Sequence, residues 1–154
     1  MSNEYKDWLA DQKAENEWWV NHYPFLRIEN NAICPWNKID SCWLNDIPAG
    51  WVMAFGKQMC DELTSVLGEY VNEFHILQMK EKYSHLVVYW TLGDFDSNFD
   101  EEITKELNGN IEKVLSKYYD LSYHTCWICG KQATEFTNHG CIASYCKDCF
   151  DRQR

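Results

Sequence analysis

The sequence predicts an α+β protein in which helices pack on a small antiparallel sheet and a short C-terminal module is held together by cysteines. Three observations predict it. Two long segments carry apolar residues at three- and four-residue spacing, two extended runs are separated by only two residues, and four cysteines form two Cys-x-x-Cys pairs near the C-terminus. The first pattern is that of a one-sided helix, the second that of a hairpin, and the third that of a metal-held turn.

The first element is a helix over residues 3–21, with Tyr5, Trp8, Leu9 and Trp19 roughly on one face. It ends before Pro24, because a proline disfavours helical backbone at the residue preceding it. Trp18 cannot share a narrow stripe with Trp19, so one of the two packs on another element or stays exposed. Residues 24–48 hold Pro24, Pro35, Pro48 and the pair Asn30-Asn31, which reads as an irregular segment with one short helical turn around Ile39 to Leu44. Trp36 and Trp43 either pin this segment or belong to a binding surface.

A second helix starts near Pro48, a favoured first-turn residue, and presents Val52, Phe55, Met59, Leu63, Val66 and Leu67 until Gly68. Residues 74–82 and 85–91 then form two strands around Tyr83-Ser84, rich in the β-branched and aromatic residues that suit a pleated surface. The third helix starts at Ser97, with Asp100 three residues on as a weak capping box, and places Phe99, Ile103, Leu107, Ile111, Val114, Leu115 and Tyr118 on one face. Residues 121–154 form the cysteine module, with a hairpin turning near Asn138-His139-Gly140. The chain thus divides into a body of residues 1–120 and a module of residues 121–154.

In that module Cys126 and Cys129 form one pair and Cys146 and Cys149 the other. Two intervening residues let one tight turn present both thiolates to a single tetrahedral ion, and the stretch between the pairs suffices for a short hairpin. The expected occupant is one Zn2+. Four protein thiolates close the coordination sphere and leave no position for a catalytic water, so the zinc reads as structural. His124, His139 and Cys141 lie nearby but outside the pairs. Cys34, Cys42 and Cys60 match no ligand spacing, and free cysteine is among the residue types most often buried, so these read as packing residues.

Other constellations are weaker. His75 and His85 fall on the two strands, where a facing pair would be able to bind a metal or a proton, though ordinary strand histidines are the preferred reading. The run Asp94, Asp96, Asp100, Glu101 and Glu102 lacks the glycine and terminal glutamate of a calcium-binding loop and reads as a solvated face. The chain carries no glycine-rich phosphate loop, nucleophile elbow or His-Glu-x-x-His pattern, so an enzyme has no constellation to rest on.

The net charge is -10, with acid concentrated in the body: residues 93–120 hold eight acidic against three basic residues. Phosphate contacts need clustered Lys and Arg, so generic nucleic-acid binding is disfavoured, whereas an acidic surface with 16% aromatic residues suits docking on a basic protein. No stretch approaches the length of a membrane-spanning helix and no secretory leader opens the sequence, so a soluble cytoplasmic protein is expected.

Gly50-Trp51, then Met59-Cys60-Asp61-Glu62-Leu63, then Gln78 to Tyr83 with Leu86 and Tyr89, then Thr125-Cys126 with Cys129-Gly130, and finally Cys146 with Cys149, occur in that order. This order resembles a group of small bacterial and prophage zinc-ribbon proteins, over roughly residues 48–150. The group's hairpin usually has Gly and Arg where this chain has Ser84 and Val87, so any role of that arginine is absent here. The acidic body and the Cys34-Pro35-Trp36 segment are similar to phage-borne members that include a zinc-containing anti-CRISPR inhibitor of Cas9, of type II-A. That resemblance implies a phage-encoded protein that binds a Cas9-type RNA-guided nuclease stoichiometrically and blocks target DNA loading. Cas9 holds its heteroduplex in a positively charged channel, which an acidic protein complements. By composition and position, Trp18, Trp36, Trp43, Asp94, Asp96, Glu101 and Glu102 are the candidate contacts. The alternative is a nucleic-acid-binding zinc ribbon using Lys131, Lys147, Arg152 and Arg154, and a metal-dependent hydrolase is third.

Overall fold

The computed structural model describes residues 2–29, 41–93, 100–138 and 140–153. Helix α1 spans Asn3–His22 and is followed by a 3-10 turn at Pro24–Leu26; a second 3-10 turn covers Trp43–Asp46. Helix α2, Ala49–Trp51, runs through a π-helical turn at Val52–Gly56 into α3, Lys57–Leu67, which Gly68 ends with φ +53. Strands β1, Phe74–Lys82, and β2, His85–Leu92, form an antiparallel hairpin, and α4, Glu101–Tyr123, packs on β2 and α3. A smaller hairpin of β3, Glu135–Asn138, and β4, Ile142–Tyr145, precedes the short helix α5, Lys147–Arg152. The protein is therefore α+β, helix-rich with small two-stranded antiparallel sheets and a C-terminal cysteine cluster.

One core joins the second helix, the large hairpin and α4. Trp51, Phe55, Met59 and Leu63 from the second helix meet Phe74, Ile76, Met79 and Leu86 of the large hairpin and Leu107, Ile111 and Tyr118 of α4, each at most 7% exposed. The periodic positions read in the second and third helices are the ones that turn inward, because burying the apolar stripe is what stabilises an amphipathic helix.

Several expectations need correction. Trp8 and Leu9 do not pack as the inner face of α1: they are 56% and 42% exposed, and the helix docks instead through buried Asn16 and half-buried Trp19 and Val20. Asn16 receives hydrogen bonds from Gln12 and Asn45, so a polar clamp holds α1 to the second 3-10 turn. The side chain of Tyr5 lies outside the described residues. Trp18 is the exposed member of the tryptophan pair, stacked on His22 at 4.0 Å, while Trp19 packs on the core. The short helical turn lies at Trp43–Asp46, and Ile39 lies outside the described residues. Helix α4 begins at Glu101 with Asp100 itself as its N-cap, accepting from the Glu102 N–H at 2.9 Å; Ser97 and Phe99 lie outside the described residues. His75 and His85 do not face each other: they pair with Thr91 and Lys82, at opposite ends of the hairpin.

Cys42 and Cys60 are fully buried, and burial pushes both thiols up, consistent with inert packing residues. Cys34 lies outside the described residues. No helix among the described residues is long and apolar enough to cross a membrane.

Gly109 sits on the exposed face of α4, and a Cβ built there meets nothing within 4 Å. Gly109→Ala is expected to stabilise the protein by about 0.5–1 kcal/mol, because it removes backbone freedom from the unfolded chain at no steric cost. A thermal melt reads it, and an unchanged or lower midpoint would count against a regular helix there.

Candidate metal centre

The four cysteines of the two pairs come together at the end of the chain. Thr125 and Gln132 bridge the base of the first turn, the Cys126 N–H donates to the Lys131 carbonyl at 2.8 Å, and the Gly130 N–H donates to the Cys126 carbonyl at 3.1 Å. Gly130 closes this turn with φ +79, a left-handed conformation that strains any residue bearing a Cβ. The second pair is set by α5. Cys146 is its N-cap, with Sγ accepting from the Cys149 N–H at 3.5 Å, so both thiols lie at the positive end of the helix.

The Sγ atoms of Cys126, Cys129, Cys146 and Cys149 all lie within 4.8 Å of one another, with Cys129 and Cys146 3.6 Å apart. A disulfide needs about 2.05 Å, so these are not bonded pairs. Four sulfurs at about 2.3 Å from a central ion form a tetrahedron with edges of about 3.8 Å, which the observed separation approaches. The quartet could therefore hold one metal ion. Cys126, Cys146 and Cys149 are buried and Cys129 is half-buried. His124 and Cys141 are exposed and belong to no such cluster among the described residues, and His139 lies outside them.

Electrostatics agree with that use. Burial opposes ionisation of Cys126, but backbone N–H groups aimed at its sulfur, chiefly those of Cys129, Cys146 and Ile128, outweigh it and pull the thiol down. Cys149 is pushed the other way, by burial first and then by hydrogen bonding among the thiols and by the neighbouring Cys126. Several thiolates at this distance repel, and a central cation removes that repulsion.

The module is joined to the body by backbone contact. The Gly50 N–H donates to the Trp127 carbonyl at 2.7 Å, and the buried Trp51 Nε1–H donates to the Thr125 carbonyl at 3.1 Å. A Cβ on Gly50 would stand 2.1 Å from the Cys126 carbonyl oxygen, and one on Gly130 would stand 2.6 Å from the Gly50 carbonyl oxygen. The first cysteine turn therefore lies directly on the start of the second helix. Helix α4 runs on to Tyr123, three residues beyond the predicted boundary at 120.

A buried hydroxyl chain ties in the tip of the large hairpin. Trp127 Nε1–H donates to Ser84 Oγ at 2.9 Å, and Ser144 Oγ donates to the Tyr123 carbonyl at 2.6 Å. Since Ser144 spends its proton on that carbonyl, the Ser84 hydroxyl must donate to Ser144. Both serines are fully buried, and Ser84 keeps φ +62, a left-handed conformation that favours glycine. Sequence reasoning missed Ser84, Ser144 and the roles of Gly50 and Trp127. Only the non-glycine pair Tyr83-Ser84 in a two-residue turn hinted at a special demand. Ser84→Ala is expected to cost about 2–3 kcal/mol, by leaving the indole N–H and the Ser144 oxygen short of a partner while keeping the left-handed strain. Ser84→Gly should cost less. Equal melts for wild type and Ser84→Ala would refute the chain.

Of the other predicted contacts, Trp18, Glu101 and Glu102 are exposed, whereas Trp43 is 1% exposed and belongs to the core, unavailable to a partner. Trp36, Asp94 and Asp96 lie outside the described residues. The structure also assembles an aromatic stack that the sequence did not announce: His85 lies on Tyr119 at 4.3 Å and Tyr123 at 4.9 Å, and Tyr123 lies on Phe136 at 4.7 Å. No family model, curated protein or solved structure matches this chain.

Proposed function

We propose that the chain is a non-catalytic binding protein, held in shape by one structural zinc, that inhibits a Cas9-type nuclease by occupying basic surface needed for target DNA loading. The observation carrying the non-catalytic part is the closed quartet: four cysteines around one point supply every ligand of a tetrahedral ion. An all-sulfur set takes zinc or iron, and two Cys-x-x-Cys turns closing one tetrahedron are the ligand pattern of structural zinc. What supports a basic protein target is the net charge of -10 together with exposed Glu101 and Glu102 at the positive end of α4. The Cas9 identity rests on the resemblance of the zinc-ribbon pattern and the acidic body to phage-borne inhibitors, and with it go a phage origin and the host cytoplasm as its place of action.

Elemental analysis of the purified protein should give one zinc per chain and no iron. Titration into a Cas9 cleavage reaction, before and after target DNA is added, should inhibit at equimolar protein only when the inhibitor comes first. An absence of inhibition at several-fold excess across type II enzymes would reject the nuclease reading.

A second reading, nucleic-acid binding, is favoured by the aromatic stack on His85. Tyr119 and Phe136 are 44% and 40% exposed, and Lys80 and Lys82 lie on the neighbouring strand, an arrangement on which unpaired bases can stack. Salt-sensitive gel shifts with single-stranded oligonucleotides, lost in Tyr119→Ala, would move the assignment there.

A further inference from the structure

The four cysteines of the quartet are not equally sheltered. Cys126, Cys146 and Cys149 are buried, whereas Cys129 is half-buried. Its neighbours in the chain do little to cover it. Ile128 is 45% exposed, Lys131 is exposed, and Gly130 has no side chain. Packing demands that glycine, since a Cβ there would stand 2.6 Å from the Gly50 carbonyl oxygen. The contact that seats the module on the second helix therefore also leaves one ligand sulfur poorly shielded.

Cys129 has a partner within reach on the other turn. Its Sγ lies 3.6 Å from that of Cys146, so a disulfide between them needs the sulfurs to approach by about 1.5 Å. Cys126 is a poorer partner, because it is fully buried and the backbone N–H groups of Cys129, Cys146 and Ile128 hold its sulfur in place. An accessible sulfur beside a second one able to displace its oxidised form is the arrangement of a redox-sensing pair.

We propose that Cys129 is an oxidation site for hydroperoxides, with Cys146 as its resolving sulfur, and that their disulfide releases the ion and unseats the module. The proposal rests on the reading of the quartet as a zinc site and adds a means of regulating it. The Cys129 thiolate attacks one oxygen of hydrogen peroxide, the O–O bond breaks, and hydroxide leaves a sulfenic acid behind. The Cys146 thiolate then attacks that sulfur, the S–O bond breaks, and a second hydroxide departs. The two thiolates have given up two electrons, the peroxide has taken them, and both hydroxides are protonated by solvent. Cys126 and Cys149 alone hold the ion too weakly to keep it. Drawing Cys129 towards Cys146 also pulls Gly130 from its seat on Gly50 and strains the Gly50 N–H to Trp127 carbonyl bond.

The test treats the zinc-loaded full chain with hydrogen peroxide in the presence of a chromophoric zinc chelator. Release of one zinc per chain is expected, at least about tenfold faster than from untreated protein, with the melting midpoint lowered to that of the chelated protein. After alkylation and tryptic digestion, mass spectrometry should find residues 118–131 joined to residues 132–147, with fragmentation placing the bond on Cys129 and Cys146. A thiol reductant with added zinc should restore both metal and melt. Cys141→Ser removes an exposed thiol outside the quartet and should leave the release rate and the bond unchanged. Zinc retained in peroxide, a bond within one Cys-x-x-Cys turn, sulfinic acid without a disulfide, or release that Cys141→Ser abolishes would overturn the proposal. A protein that binds no zinc at all would sink the zinc reading and this proposal with it. Reversible release from a chain that inhibits no Cas9 would uphold the redox pair and sink only the nuclease reading.

Discussion

Cys126→Ser is expected to abolish stoichiometric metal binding and to lower the thermal midpoint by about 10–15 °C, the largest effect of any single substitution considered. Its sulfur is fully buried and is the one towards which the local backbone N–H groups converge. Serine at this position has neither the thiolate's affinity for a soft ion nor the size to reach it. The module depends on the ion because, among the described residues, its cluster of buried residues consists of Cys126, Cys146 and Cys149, with Cys129 and Tyr145 packed alongside. Without an ion that cluster has little apolar surface to bury, and the ordering of the chain around it is left uncompensated. Chelation of the wild type should reproduce the variant's melt. A Cys126→Ser protein that keeps one zinc per chain, or melts with the wild type, would disprove a structural quartet.

Gly50→Ala should come close behind, at about 3–5 kcal/mol, although it adds a single methyl group outside the metal site. That methyl would stand 2.1 Å from the Cys126 carbonyl oxygen and 2.6 Å from the Trp127 carbonyl carbon, so backbone must move on one side or the other. Either movement breaks the Gly50 N–H to Trp127 carbonyl bond and loosens the Trp51 indole from Thr125. Differential scanning calorimetry and zinc release to a chromophoric chelator report the two halves separately. The expected pattern is a lower midpoint together with faster zinc release. Gly50→Ala with wild-type values for both would show that the two parts do not rely on this contact.

How far the sequence revealed all this follows from the range of each interaction. The hairpin around Tyr83-Ser84 and the inward faces of the second helix and of α4 depend on local periodicity, and they were legible residue by residue, from Met59 and Leu63 to Ile111 and Tyr118. The cysteine quartet was legible because two short turns impose their own spacing. Trp43 was not: its place in the core depends on its 3-10 turn meeting β1, about thirty residues further along the chain, and a tryptophan between prolines reads equally well as a surface anchor. Trp8 misled in the opposite sense, since helical spacing marks an apolar face without saying what covers it. The joint was written in the sequence as two unconnected fragments, Gly50-Trp51 and Thr125-Cys126, and only the folded backbone brings them together.

That joint also sets an order of events during folding. The Trp51 indole and the Thr125 carbonyl are 74 positions apart in the chain, so the contact closes a long loop before it returns any stabilisation. The cysteine turns, by contrast, are local and can capture an ion while the rest of the chain is still unfolded. Seating the loaded turn then waits for the second helix, the large hairpin and α4 to assemble, because Gly50, Ser84 and Tyr123 come from all three. Refolding followed by metal-sensitive absorbance and by tryptophan fluorescence should therefore show two phases, with ion capture first and burial of the Trp51–Trp127 pair last.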